Sequence, residues 1–294
     1  RRTPVVLLTA KSDVDSRAAA TVSGADAFLG KPFDEAELCA SVRNLLDLKS
    51  REREVESLNQ KLVEQGLARC LPPALVEGVL KGELELTQKP TVCDITVLSV
   101  SLCQFDQQMR VLSPRDSGDL LNLYLQRMTE IAFHYEGVVD QFVGDRMQLL
   151  FGVPNSLPLE LQLRLAVGCA FKMLDGVNDL VGEWAERKLP APALRLGLYQ
   201  GEALVGTFGG DLRADYTAIG EGVSLAEKLS RAAKPGTIHV LTELVQNLSP
   251  GCTQPAGRLV LQGETEPRRM YALTSSARSH GGSLGPSAEQ TQVG

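Results

Sequence analysis

The sequence predicts a mixed α/β (α+β) protein whose main domain follows a ferredoxin-like β-α-β-β-α-β plan. Three observations carry this expectation. The stretch Val92 to Leu102 (VCDITVLSVSL) is rich in β-branched residues and reads as a strand. Behind Ser113-Pro114-Arg115-Asp116, a capping box with proline at the first helical position, Leu120, Leu121, Tyr124, Leu125, Met128, Ile131 and Ala132 recur on one helical face. Val138 to Gly152 (VVDQFVGDRMQLLFG) then sets two short apolar runs around Gly144-Asp145, the signal for a β-hairpin with a tight turn.

Composition limits the function classes. With 294 residues, 43% hydrophobic and 22% charged, the chain has an ordinary globular composition, sufficient for one large or two modest domains. A net charge of −6 and a pI near 5.3 argue against a nucleic-acid surface or an anionic membrane surface, both of which need a basic face. No apolar run reaches the length of a membrane span, and RRTPVVLLTAKSD is broken by Thr9 and Lys11 before it can serve as a signal peptide, so a cytoplasmic protein is expected. Cys39, Cys70, Cys93, Cys103, Cys169 and Cys252 form no C-x-x-C pair and read as small buried thiols. His134, His239 and His280 share no ligand spacing with them.

From the N-terminus, Thr3 to Thr9 (TPVVLLT) suits a strand buried on both faces. A polar, alanine-rich helix follows and stops at Ser23-Gly24-Ala25-Asp26. Ala27 to Leu29 is a second short strand, and Lys31-Pro32-Phe33-Asp34 opens another helix with Asp34 as N-cap. From Leu48 to Gln65 the chain is highly charged, with Leu48, Val55, Leu58 and Leu62 on the a and d positions of a short heptad pattern. A coiled coil and a solvated single helix both fit, since Arg51 and Gln65 fall on d positions. Gly66 to Gly82 reads as a short helix, a break at Pro72-Pro73 and a second amphipathic helix.

Beyond the hairpin, Leu159 to Arg187 reads as a second long helix with Leu163, Val167, Ala170 and Leu174 toward the core. Leu194 to Tyr199 and Ala203 to Phe208 read as two strand segments joined by Gln200-Gly201-Glu202. A helix at Gly222 to Ala232, a strand at Thr237 to Val240 and a hairpin near Arg258 to Leu273 complete the domain. Ser275 to Gly294 is Gly- and Ser-rich without apolar periodicity and is expected to be a disordered tail.

Two resemblances add to this reading. Thr9-Ala10-Lys11 and the pattern G-A-D-A-F-L-G-K-P-F from Gly24 to Phe33 resemble the second half of a response-regulator receiver domain, a partial flavodoxin-like segment over residues 1–47. The resemblance implies that Thr9 and Lys31 stand at phosphoryl-contacting positions and Phe28 at the aromatic switch position. An intact receiver would have a histidine kinase upstream. The half that carries the phosphorylatable aspartate is missing, so this chain is expected to be a truncated product or fragment that accepts no phosphoryl group by that route. The remaining boundaries are a helical signalling linker over 48–88, a main domain over 89–274 and the tail over 275–294. The linker segment LARCLPPALVEGVL resembles one that precedes many bacterial class III adenylate cyclase domains.

The main domain resembles a class III adenylate/guanylate cyclase catalytic domain, through LYLQRMTEIAFHYEGVVDQFVGDRMQLLFG, GLYQGEALVGTFG and ADYTAIGEGVSLAEKLSRAAKPG. That family cyclises ATP with two divalent ions, Mg²⁺ or Mn²⁺, held by two aspartates. Asp145 matches one metal aspartate, and its alternative reading is a turn residue. The other is replaced by Ser101, while Asp106 lies nearby as a substitute and Gln104 replaces a loop glycine. Gln141 stands where adenylate cyclases place a purine-reading lysine, and Thr217 matches a threonine opposite adenine. Ser224 replaces the ribose-orienting asparagine, and Lys228 replaces the transition-state arginine, keeping charge without the bidentate fork. Leu261-Gln262-Gly263-Glu264 lacks the family's phosphate-binding lysine. The expectation is therefore a degenerate, homodimeric output domain, with no cofactor assigned, that acts through dimer geometry and partner or nucleotide binding. The alternatives are a weak adenylate cyclase converting ATP to cyclic AMP and pyrophosphate, and a decaying fragment.

Overall fold

Strand β3 (Thr91–Leu102) is the axis of the main unit in the computed structural model, which describes residues 5–9, 26–67, 73–82, 89–210, 213–261 and 266–281. From Ile95 onward every residue of β3 is buried, because the strand has helices over both of its faces. The described chain divides into two units, Arg1–Gly66 and Leu67–Gly294.

In the main unit, α2 (Pro73–Leu80) precedes β3, and a short α3 (Phe105–Met109) and a long α4 (Pro114–His134) follow it. The Ser113 hydroxyl accepts the Asp116 N–H at 3.1 Å, so the N-cap expected from sequence forms. Next come β4 (Val138–Val143), β5 (Arg146–Phe151), α5 (Leu159–Gly176), α6 (Val181–Glu186) and β6 (Leu194–Gly210). The sheet order β4-β5-β3-β6, antiparallel throughout, is the ferredoxin-like arrangement. β7 (Arg213–Ile219) pairs with the distal half of β6. α7 (Glu221–Ala232) leads to β8 (Thr237–Leu241), parallel to β6, and α8 (Thr242–Val245), β9 (Thr253–Leu259) and β10 (Arg268–Leu273) extend the same sheet.

One face of the sheet carries Leu98, Val100, Leu149, Leu196 and Val240 against α4, α5 and the fully buried Trp184. The other carries Val97, Leu150 and Val205 against Val76 of α2 and Ala226 of α7. The approach of α7 depends on Gly197, where a Cβ would lie 2.2 Å from the Ala226 carbonyl oxygen and 2.3 Å from Ser230 N.

Three expectations are corrected. The segments before and after Gln200-Gly201-Glu202 form one strand of 17 residues, because β3 offers a partner at every position from Leu194 to Val205 and the continuous ladder overrides the local turn signal. The helix expected over Leu159 to Arg187 breaks after Gly176 into a 3₁₀ turn (Val177–Leu180) and α6. Gly176, packed under Ile131, offers little helix propensity, and Val177-Asn178 continues the helix poorly. The beginning of the expected tail is folded. Ser275–Ala277 and α9 (Arg278–Gly281) lie against the domain, with Ala277 fully buried and Arg278 forked onto Asp175 at 2.6 and 2.9 Å.

In the N-terminal unit, β1 (Val6–Thr9) and β2 (Ala27–Gly30) pair in parallel, and α1 (Glu35–Leu67) follows as a single helix of 33 residues. Asp34 caps it by accepting the Glu37 N–H at 2.6 Å. The helix runs unbroken through Asp47 and Leu48, so the helix expected after Asp34 and the charged segment expected from Leu48 are one element. Leu48, Val55 and Leu58 are exposed along it. The helix expected between β1 and β2 falls on residues 10–25, outside the described residues, as do Pro72 and the part of the expected tail beyond Gly281. Among the described residues no helix is long and apolar enough to cross a membrane.

Candidate functional site

The hairpin of β4 and β5 turns at Gly144, whose φ of 63° lies in the left-handed region that glycine adopts without strain. The turn brings Asp145 to the end of β3, where Asp145 Oδ2 accepts the Leu102 N–H at 2.8 Å. Burial raises the proton affinity of this carboxyl. The Leu102 N–H opposes that effect, nearby Asp106 adds to it and Arg195 counters it.

Ser101 does not offer its hydroxyl to the same place. It is buried on β3, and its Oγ lies 3.1 Å from Ser230 Oγ on α7. Ser230 in turn donates to the Arg195 carbonyl at 3.0 Å, so the hydroxyls form a chain that ties α7 to β3 and β6. The donor set does not fit a two-ion clamp. It has one carboxylate, already accepting a backbone N–H, and one neutral hydroxyl committed to a neighbour. Among the described residues, no group of three or more His, Cys, Asp or Glu side chains is placed to hold a metal ion.

After β3 the chain enters α3 through Gln104, whose φ of 56° and ψ of 25° keep the left-handed geometry suited to glycine. A glutamine side chain therefore stands where a glycine would leave the backbone open. On β4, a register shift between Val139 and Gln141 sets off Asp140. Gln141 is exposed and pairs with Gln148 of β5. Asp140 accepts the Gln148 Nε2 amide at 2.5 Å and also hydrogen-bonds Thr217 of β7. Thr217 and the β4 segment that carries Gln141 are thus brought together within one chain. Asp140 Oδ1 is buried without a partner, and burial, with Asp215 nearby, raises the proton affinity of this carboxyl.

Ser224 and Lys228 are both exposed, one turn apart on α7. Between them Glu227 pairs with Arg146 of the hairpin and, at 2.7 Å, with Arg231, which fixes α7 against β5. In the N-terminal unit, Thr9 ends β1 opposite Gly30, Phe28 pairs with Leu7, and Lys31 is exposed just after β2. Gln262 and Glu264 lie outside the described residues.

A family model for the adenylate and guanylate cyclase catalytic domain matches residues 87–275. The chain belongs to this family. The adenylyl cyclase CyaB from P. aeruginosa has a similar crystal structure, with 29% sequence identity and a TM-score of 0.61 over 65% of this chain and 98% of that one. An adenylate cyclase of Anabaena cylindrica is 27% identical over 158 residues, 53% of this chain and 31% of that protein. An uncharacterized protein of Mycobacterium tuberculosis is 28% identical over 157 residues, 53% of this chain and 27% of its own length. The chain thus spans under a third of the length of these two curated relatives.

Against the cyclase family pattern, the residues missed from sequence are Asp140, Arg195 and Ser230. Asp140 had a signal, a carboxylate immediately before Gln141 on the hairpin. Arg195 and Ser230 had none, because their roles arise from the pairing of Arg195 with Ser101 across β3 and β6 and from the approach of α7 to Gly197.

Proposed function

We propose that this chain is a signalling module whose cyclase-family domain is catalytically depleted, a pseudo-cyclase that works as a homodimer by binding a partner or a nucleotide. The observation that carries the reading is the commitment of the Ser101 hydroxyl to Ser230 where the family places a second metal carboxylate. A neutral hydroxyl does not balance a divalent charge. Removing one preorganised electrostatic group costs about 10²- to 10³-fold in rate, and here Ser101, Gln141, Ser224 and Lys228 depart together. In the cyclase arrangement one chain supplies the metal ligands and the other supplies the positions of Ser224 and Lys228. Two copies of this chain therefore do not complement each other. The exposed Leu48, Val55 and Leu58 on α1 support association of two linkers side by side. In this reading residues 1–47 derive from a receiver, which in intact form takes its phosphoryl group from a histidine kinase, and α1 passes its state to the output domain.

One observation favours a second reading, a weak adenylate cyclase. Asp106 lies close enough to Asp145 to raise its proton affinity, so a second carboxylate is at hand, and Lys228 keeps a positive charge. Calorimetric titration with ATP separates the two. The pseudo-cyclase gives the same result with and without magnesium, and in Asp145→Ala. Magnesium-dependent binding that is lost in both Asp145→Ala and Asp106→Ala overturns it in favour of the enzyme.

A further inference from the structure

Two pairs of like charges face each other across the sheet of the main unit. Asp94 of β3 stands directly opposite Glu202 of β6, and Arg258 of β9 stands directly opposite Arg269 of β10. All four residues are exposed, and among the described residues none of them forms an ion pair. Like charges in directly opposed positions destabilise a sheet. Charges on an open edge keep it from pairing with another chain, which suits β9 as the terminal strand. That reason does not extend to Asp94 and Glu202, because β3 and β6 are interior strands.

Both pairs occupy the same end of the same face. Asp94 alternates in step with Leu98 and Val100, which belong to the core beneath α4 and α5. Arg269 adjoins Met270, which clusters with Leu225 and Leu229 of α7 on the opposite face, so Arg269 and Arg258 point to the α5 side. Helical cover on that side begins at Leu159, whose carbonyl accepts the Gln200 amide at 2.8 Å, and it stops short of Glu202. β8, parallel to β6, ends at Leu241 opposite Met270, so Arg269 extends past its end in the same direction as Glu202. Exposed apolar side chains accompany both pairs. Val92, 66% exposed, lies two residues from Asp94 and aligns through Leu204 with Ile219, 52% exposed, while Val260, 74% exposed, follows Arg258 by two. One surface thus carries a carboxylate pair and a guanidinium pair, with β8 between them in the strand order. We propose that this end of the sheet binds a second copy of the chain about a two-fold axis, with Asp94 and Glu202 of each copy against Arg258 and Arg269 of the other. Each pair then supplies the counter-charges that the other lacks. α7, with Ser224 and Lys228, covers the opposite face, so this contact adds to the association proposed for the cyclase-family domain and does not rest on it.

Sedimentation velocity of the full chain, over a range of protein concentration and salt, tests the contact. Wild type is expected to show an association step that weakens by about tenfold or more between about 0.05 M and about 0.5 M sodium chloride. Arg258→Glu with Arg269→Glu makes both pairs acidic, and Asp94→Lys with Glu202→Lys makes both basic, so each variant alone is expected to lose the step. An equimolar mixture of the two is expected to regain it, since each then meets its opposite. Asp94→Asn with Glu202→Gln relieves the repulsion within the chain, and it should melt no lower than wild type while associating less, a combination that poor folding does not give. The inference is overturned if wild type shows no salt-sensitive step, if either reversed variant associates as wild type does, or if the mixture associates no more than its components. A dimer that persists unchanged at high salt in every variant is the association of the cyclase-family domain, and its presence without the salt-sensitive step counts against this contact alone.

Discussion

Gly197→Ala probes the contact that positions α7, and with it Ser224, Lys228 and Ser230. The new methyl would stand 2.2 Å from the Ala226 carbonyl oxygen, 2.3 Å from Ser230 N and 2.8 Å from Leu229 Cβ. Two of these are helix backbone atoms, which cannot rotate away, so α7 must retreat from the sheet by on the order of 1 Å to restore van der Waals contact. Overpacking of this kind costs about 1–3 kcal/mol. For a domain of this size each kcal/mol shifts the melting temperature by roughly 2–4 °C, so a drop of roughly 2–12 °C is expected. Gly118→Ala in α4 is the matched control. No atom lies within 4 Å of the added methyl, and relief of glycine entropy in a helix should stabilise by about 0.5–1 kcal/mol. Differential scanning calorimetry of the three proteins measures both effects. A Gly197→Ala variant melting within about 1 °C of wild type would refute the packing argument.

Other expectations follow from buried and folded groups. His239 is 2% exposed with Nδ1 unpartnered, and burial, reinforced by Lys234, holds its proton affinity below the ordinary 6.5. The unfolded chain therefore binds the proton first. Stability is full above pH 6.5 and falls as pH drops below it, by at most about 1.4 kcal/mol per pH unit. His239→Leu should remove that slope from urea melts at pH 5 to 7 if nothing else titrates with it. Trp184→Phe leaves the Gln108 carbonyl unpaired, at roughly 1–3 kcal/mol plus a cavity term. Adding Gln108→Leu should recover part of that loss, and equal denaturation midpoints for the single and double variants would contradict the role of the hydrogen bond. Arg278→Ala removes an exposed fork to Asp175 and a stack on Phe171 at 4.8 Å, together roughly 1 kcal/mol or less. Hydrogen exchange should accelerate at residues 275–281 and leave the sheet unchanged.

Much of the fold was legible because its signals are local. The β-branched run of β3, the Ser113 cap and the Gly144-Asp145 turn each specify their element through chain neighbours. What escaped depends on distant partners. Gln200-Gly201-Glu202 has turn chemistry, yet it stays extended because Thr96, Ile95 and Asp94 pair with it across the ladder. Gly176 is held as glycine because Ile131, far away in sequence, packs over it and leaves no room for a Cβ. Ser275 to Gly281 lacks apolar periodicity and is held by one buried alanine and one arginine. At the site, Ser101 itself was identifiable in the sequence as a residue to examine. Its hydrogen bond to Ser230 was not, since it requires the α7 approach that Gly197 permits.

We propose that a strand end with the Ser101 hydroxyl bonded to Ser230, and Asp145 accepting the Leu102 N–H, does not support turnover. The most direct measurement is cyclic AMP production by the purified full chain with ATP and manganese, beside the Asp145→Ala variant. Both proteins are expected at the no-enzyme background. Cyclic AMP formed by wild type and lost in Asp145→Ala would contradict it.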